Sequence, residues 1–157
     1  MKKIFYSGVL AILIVACHSA GNQAGNKAEP VTEAKDSTNN PPYDPNRGEG
    51  KFTSVSVSPN LDKSMAEAGS KIYTVKCSSC HKLTSEKLVG PGWLGVTHRH
   101  TAVWIMNFAT NTDDMLNKDP KAEAMLEICL VRMPNQNLSD ADARNIYEFM
   151  RKNDGVK

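Results

Sequence analysis

The residues best suited to chemistry stand together in the stretch YTVKCSSCHKLT, where Cys77 and Cys80 are three positions apart and His81 follows directly. A Cys-x-x-Cys pair can cycle between a dithiol and a disulfide, or it can hold zinc together with two further ligands. When a histidine follows the second cysteine, the pair can instead anchor a haem through two thioether bonds. The rest of the chain must supply what one of these chemistries needs.

Three of the alternatives find little support elsewhere in the chain. Redox-active cysteine pairs open a helix beside a βαβ pattern, whereas this pair follows a predicted helix and no sheet pattern is present. A zinc site would recruit Cys129, or His98 and His100, but histidines two positions apart point to opposite sides of a strand. An unmodified pair in an oxidising compartment would close into a structural disulfide. Haem attachment explains more residues, because His81 then becomes an iron ligand.

A haem iron that serves electron transfer needs a sixth ligand, and a methionine thioether raises its potential relative to a second histidine. Met115 lies in or near a loop, but only 34 residues after His81. Met133 precedes Pro134, which breaks helices, so Met133 can point from a loop between two predicted helices. We therefore expect Met133 to be the ligand. The methionines on apolar faces of predicted helices are expected to pack in the core: Met106, Met125 and Met150.

Four helices are predicted around these residues, and they indicate an all-α domain over residues 61–157. Ser64 and Glu67 form a capping-box pattern for a helix of about 65–76 that leads into the cysteine pair. Apolar spacing and cap residues predict the other three helices: 101–111, one that begins at Asp119 and Pro120, and one that begins after Ser139. The domain has few large apolar side chains, so a large apolar cofactor at its centre would complete the core.

The N-terminal part of the chain is typical of an exported lipoprotein. Residues 1–16 combine a positive start with an apolar run of 13 residues, which suits a secretory signal and is short for a membrane span. The run ends in IVAC, which resembles the lipoprotein signal in which a cysteine, here Cys17, becomes the lipidated mature N-terminus. Residues 17–60 are rich in Asn, Gly, Ser, Thr and Pro, so we expect this lipidated segment to be a flexible tether.

The charge balance argues against one class of partner. Lys2 and Lys3 would leave with residues 1–16, so the basic side chains fall from 19 to 17 and equal the 17 acidic ones. The sequence contains no stripe of Lys and Arg suited to phosphate groups. We therefore expect no nucleic-acid binding.

Three stretches, KCSSCH, VGPGWLGV and RMPNQNLSDADARNIYEFM, together resemble a class I cytochrome c over residues 63–153. The resemblance implies about four helices wrapped around one covalently bound haem c, with His81 and Met133 as its iron ligands. It also implies that the backbone carbonyl of Pro91 accepts the Nδ1 proton of His81. Trp104 is similar to a family tryptophan that packs beside the haem or bonds a propionate.

The same resemblance implies a close crossing of the first and last helices. Gly69 would let the last helix approach, with Tyr73 beside it and Tyr147 as the aromatic partner from the last helix. Cys129 needs no function as a small buried apolar residue. His98 and His100 are expected to be solvated.

The function implied is one-electron transfer without catalysis, by a monomer held by its lipid on the periplasmic side of a bacterial membrane. The expected partners are redox proteins: a quinol-oxidising complex or other donor, and a terminal reductase or oxidase as acceptor. The chain is similar to small cytochromes c found with respiratory reductases such as nitrous-oxide reductase. Lys76, Lys82 and Lys87 would form a weak docking patch. Two alternatives stay open: a permanently bound haem subunit, and a gas-binding or peroxidase-like protein in which Met133 is displaced.

Overall fold

The computed structural model describes residues 43–157. The predicted signal sequence, Cys17 and the first part of the tether lie outside the described residues. Residues 43–157 contain no strand apart from one isolated bridge between His81 and Lys87, and none of their helices is long and apolar enough to span a bilayer. Their helices are α1 (Lys63–Lys76), α2 (Val96–Arg99), α3 (Ala102–Thr110), α4 (Thr112–Lys118), α5 (Pro120–Cys129) and α6 (Asp140–Asn153).

The all-α prediction is confirmed, and the four predicted helices correspond to α1, α3, α5 and α6. The side chains of Thr101, Asp119 and Ser139 cap α3, α5 and α6 by accepting backbone N–H bonds. The cap of α1 was predicted wrongly. Asp62 rather than Ser64 accepts the amide proton of Met65, because α1 begins at Lys63. The sequence did not predict α2 and α4, which have only 4 and 7 residues.

Helices α1 and α6 cross closely at Gly69, as the sequence predicted. A Cβ at this position would lie under 3.0 Å from the carbonyl oxygen of Asn145 and from Cβ of Phe149. The predicted aromatic partner was wrong. The Tyr73 ring meets Phe149, with ring centroids 5.4 Å apart, whereas Tyr147 lies under the guanidinium of Arg144. The crossing joins the start of the domain to its end and places Cys77 at the last turn of α1.

The segment 43–60, which we call the N-terminal strap, was expected to be tether but packs on the helical domain. Phe52, Val55 and Val57 contact the core cluster. The buried side chain of Asn107 accepts from the Phe52 amide and donates to the Arg47 and Phe52 carbonyls, all at 2.9–3.0 Å. The predicted tether therefore does not describe these residues. A polar segment without helix or strand can be ordered when distant side chains bond its backbone.

A buried ionic cluster attaches the other end of the strap to α6. Arg151 donates to the carbonyls of Ser58 and Pro59, and it also donates to Glu148 at 2.7 Å. Glu148 is fully buried, and it accepts further bonds from the Asp62 amide at 2.8 Å and from Arg144 at 2.5 Å. Burying these charges costs desolvation energy, and the pairing of both Glu148 oxygens and both guanidinium groups offsets that cost.

Candidate functional site

The cysteine pair lies in the turn that ends α1. The amides of Cys80 and His81 both donate to the Cys77 carbonyl, at 3.0 and 2.9 Å, so the turn presents both cysteines and the histidine together. Among residues 43–157, Cys77, Cys80 and Cys129 form no disulfide with one another. Burial raises the pKa of the Cys77 thiol to about 11, with Cys80 adding to the rise and Lys76 opposing it. A redox-active cysteine needs a lowered pKa, so the environment of Cys77 argues against that chemistry.

His81 is buried and oriented by one backbone bond. Its Nδ1 lies 2.9 Å from the carbonyl oxygen of Pro91, the contact that the sequence comparison implied. Burial lowers the pKa of His81, while the bond to Pro91 works against that shift. Burial thus favours the neutral ring, in which the Pro91 carbonyl accepts the Nδ1 proton and Nε2 keeps the lone pair that a metal requires.

Glycine is required beside this ring. A Cβ on Gly90 would lie under 3.0 Å from three atoms of the His81 imidazole. Trp93 and Tyr73 also contact His81. The ring centroids of His81 and Trp93 are 5.5 Å apart, and the Tyr73 hydroxyl donates to the His81 backbone carbonyl at 2.7 Å. Trp93 was not selected from the sequence, although it lies within the stretch VGPGWLGV that carried the resemblance.

His81 and Met133 line the same cavity of about 80 Å³, although they are 52 positions apart in the chain. Cys80 also lines this cavity, and an adjoining cleft of about 270 Å³ is lined by Cys77, Cys80, His81 and Met133. The other walls are mainly apolar: Val89, Phe108, Leu116, Met125, Leu126 and Val131. Two thiols, a neutral imidazole, a thioether and apolar walls are the donor set that fits a covalent haem.

Two sequence predictions meet different surroundings. Trp104 is buried, but it does not line the cavity: its indole N–H donates to Asp119 at 3.2 Å, and its ring stacks on the cavity residue Phe108. A haem contact of Trp104 thus stays a prediction, and the bond to Asp119 engages the proton that a propionate would use. His100 is not freely solvated, because its ring stacks on Trp104 at 4.1 Å and burial lowers its pKa.

The described methionines other than Met133 lie mostly in the core. Met106, Met115 and Met150 are buried in the core, with Met115 on α4 rather than in a loop. Met125, predicted as core, is half-buried and shares the cavity with Met133. Over residues 43–157, no group of three or more His, Cys, Asp and Glu side chains is arranged to hold a metal ion by itself.

Comparisons with known proteins agree with this arrangement. The sequence model of a family described as cytochrome c matches residues 66–154. A solved structure of a cytochrome c from Rhodothermus marinus is 30% identical, with a TM-score of 0.65, over 67% of this chain and 90% of that one. An engineered R. marinus cytochrome c, bound to a carbene intermediate, is 28% identical with a TM-score of 0.61 over the same shares. No curated protein matches the chain.

Proposed function

We propose that this chain, which belongs to the cytochrome c family, is a one-electron carrier whose haem iron would be bound by His81 and Met133. It is of the monohaem class I type, and membership implies one covalently bound haem c and a role in electron transfer. When bound, that haem supplies an iron that changes its oxidation state by one electron. The single observation that supports the ligand pair is that His81 and Met133 line one cavity.

The chain's own residues divide the work of holding the cofactor. Cys77 and Cys80 provide the two thiols for covalent attachment, and the turn after α1 holds them beside His81. The Pro91 carbonyl accepts the Nδ1 proton of His81, which fixes the orientation of the ring and leaves Nε2 available for iron. Met133 would provide a soft thioether, and the apolar walls would exclude water from the cavity. With both residues bound to the iron, no position would be left for a substrate, which favours a carrier over an enzyme.

The ligand assignment is tested by a pair of methionine variants of the haem-loaded protein. Oxidised wild-type protein should show the weak near-infrared band of a methionine–iron bond, and Met133→His should abolish that band. Met125→Leu is the matched control, since Met125 lines the same cavity from α5, and it should keep the band. A band that persists in Met133→His, or disappears in Met125→Leu, would overturn the assignment.

A gas-binding or peroxidase-like haem protein is the competing function, and the engineered R. marinus relative with a bound carbene intermediate motivates the comparison. Such a protein needs an open sixth position. Carbon monoxide distinguishes the two, because a carrier with Met133 in place should bind it slowly and weakly at neutral pH when reduced. Rapid, tight binding would favour the competing function.

For redox partners we propose docking through the surface around the cysteine pair. Val75, two positions before Cys77, is 83% exposed, and Lys76, Lys82 and Lys87 flank the cysteine pair in the sequence with positive charge. An acidic partner with an apolar centre suits such a surface, and a respiratory donor or a terminal reductase would present it. Electron transfer to the partner should slow as salt rises, because screening weakens charge steering. A rate independent of salt would contradict this surface.

We further propose that a lipid on Cys17 holds the protein on the periplasmic side of a bacterial membrane. Cys17 lies 26 residues before the start of the strap at residue 43. Cys17→Ser should move the protein from the membrane to the soluble fraction with an unchanged haem spectrum. Cys129→Ser is the control and should stay on the membrane. Membrane retention of Cys17→Ser would exclude the lipid anchor.

A further inference from the structure

Two lysines connect the parts of the chain that bear the proposed iron ligands. The Nζ of Lys76 donates to the carbonyl of Gln136 at 3.0 Å, and the Nζ of Lys87 donates to the carbonyl of Ile128 at 2.8 Å. We call these contacts the lysine bridges. Lys76 and Lys87 flank the histidine in the His81 segment (76–94), and both acceptors lie in the Met133 segment (125–137). Each bridge therefore joins the His81 segment to the Met133 segment.

Both acceptor carbonyls are groups that need an outside donor. Ile128 lies in the last turn of α5, where helix carbonyls have no partner within the helix and the helix dipole favours a positive charge. Gln136 precedes Asn137, which has the left-handed φ of 50°, in a turn where the Asn137 amide donates to the Asn135 side chain. A lysine ammonium satisfies each carbonyl, so each bridge stabilises the end of the Met133 segment that it reaches.

No other hydrogen bond joins the His81 segment to the Met133 segment, both of which lie within the described residues. Arg132 bonds Asp113 and Asn117 of α4, and α5 packs mainly against α4. These contacts therefore connect the Met133 segment to α4 and not to the His81 segment. The cavity with His81 and Met133 lies between the two segments. The lysine bridges are thus the polar contacts that oppose separation of Met133 from His81.

We propose that Lys76 and Lys87 are positioning residues that hold the Met133 segment against the His81 segment and so determine how readily an external ligand displaces Met133. The inference rests on the proposed His81–Met133 ligation. Loss of one bridge raises the population in which the Met133 segment moves away. An external ligand captures that population, so its apparent affinity rises by the same factor.

Lys82 provides a matched control within the same segment. Its Nζ lies 2.8 Å from the carboxylate of Glu86, four residues along the same segment, and it does not reach the methionine side. All three lysines belong to the His81 segment and carry the same charge. A general electrostatic effect on the haem would therefore appear in all three alanine variants, whereas a bridge effect would appear in two.

The test is an imidazole titration of the oxidised, haem-loaded protein, followed by loss of the methionine–iron band. Lys76→Ala and Lys87→Ala should each bind imidazole about three- to tenfold more tightly than wild type, the factor that loss of one hydrogen bond supports. Lys82→Ala should stay within about twofold of wild type. Lys76→Arg, which keeps a donor, should restore most of the wild-type affinity. Equal changes in all three alanine variants, or no change in the two bridge variants, would overturn the proposal.

A second measurement separates the bridges from the ligand assignment. Amide hydrogen exchange in residues 130–137 should be faster in Lys76→Ala and Lys87→Ala than in Lys82→Ala, while exchange in the α1–α6 crossing stays unchanged. If wild-type protein lacks the methionine–iron band but the exchange pattern holds, the ligation fails and the bridges stand. If the band is present and exchange in the bridge variants equals that of Lys82→Ala, the bridges fail and the ligation stands.

Discussion

The Nδ1 of His81 lies 2.9 Å from the carbonyl oxygen of Pro91, and the Cα of Gly90 faces the same imidazole ring. The two contacts act together, because the loop can bring the Pro91 carbonyl to Nδ1 only if residue 90 has no side chain. A Cβ there would lie under 3.0 Å from Cε1, Nδ1 and Nε2 of the ring. The orientation of the proposed iron ligand thus depends on a glycine.

Gly90→Ala should therefore displace the His81 ring and weaken its bond to Pro91, at a cost of about 1–3 kcal/mol in folding free energy. We expect a low yield of haem-loaded protein and loss of the low-spin spectrum of the reduced form. Val89→Ala is the control, since Val89 is the neighbouring residue and lines the same cavity. A wild-type spectrum and yield for Gly90→Ala would contradict the proposed role of this glycine.

Gly69→Ala should destabilise the α1–α6 crossing. The new methyl group meets the Asn145 carbonyl and Cβ of Phe149, which are rigid parts of α6, so the helices must separate. We expect a loss of about 1–3 kcal/mol in the free energy of unfolding, measured by denaturant titration of the haem-loaded protein. Lys71→Ala, at an exposed position on α1, should change it by about 0.5 kcal/mol or less. Equal stability of the two variants would show that the crossing tolerates a methyl group.

Asn107→Ala should release the N-terminal strap. The variant removes three hydrogen bonds to strap backbone and leaves the Phe52 amide without its partner. We expect a loss of about 3 kcal/mol in stability and faster proteolytic cleavage within residues 43–58. Asn117→Ala, on the exposed side of α4 and away from the strap, serves as control. Unchanged protection of the strap in Asn107→Ala would mean that Phe52, Val55 and Val57 suffice to hold it.

Acid should weaken the attachment of the strap through Glu148. Burial alone would raise the pKa of Glu148, but the Asp62 amide and the guanidinium groups of Arg144 and Arg151 outweigh burial and lower it. A carboxyl group whose pKa is lower in the folded state stabilises fully above its unfolded pKa, and this contribution is lost as pH falls through the folded pKa. Stability from Glu148 should therefore be complete at neutral pH and decline below about pH 4.5.

Glu148→Gln tests this pH dependence. Removing the charge leaves the buried guanidinium of Arg151 without its counter-ion, so we expect a loss of about 3 kcal/mol at neutral pH. The gap between wild type and variant should narrow as the pH falls through the lowered pKa of Glu148, because the wild-type carboxylate then loses its charge too. For Glu127→Gln, at an exposed site on α5, the free energy of unfolding should change with pH as it does in wild type. A gap that stays constant with pH would assign the loss to packing rather than to charge.

The sequence predicted most of the helical architecture because the signals are local. Apolar spacing identified four helices, and Asp119 and Ser139 marked two starts correctly, since a cap residue lies within three positions of the amide that it bonds. The short helices α2 and α4 were missed because one or two turns hold too few residues for a periodic pattern. Ser64 was predicted as the cap in place of Asp62, and Tyr147 as the aromatic partner in place of Phe149, because each lies two positions away and has a suitable side chain.

The residues of the site divide in the same way. Cys77, Cys80 and His81 were determined by the sequence alone, because three adjacent chemical groups within five positions need no fold to bring them together. Met133 was distinguished from the other methionines by the proline that follows it. In the structure it lines one cavity with His81, which supports its proposed role as a ligand. Trp93 and Gly90 were visible in a recognised stretch, but their contact with the His81 ring is a property of the folded loop.

Only the tertiary structure decided what lies far apart along the chain. The strap is bonded by Asn107 and Arg151, and the lysine bridges join residues 60 and 41 positions apart. Such contacts leave no periodic trace, since a backbone carbonyl accepts from any donor that the fold delivers to it. The sequence thus determined the chemistry of the proposed haem ligands, whereas the fold determined how the two halves of their cavity are held together.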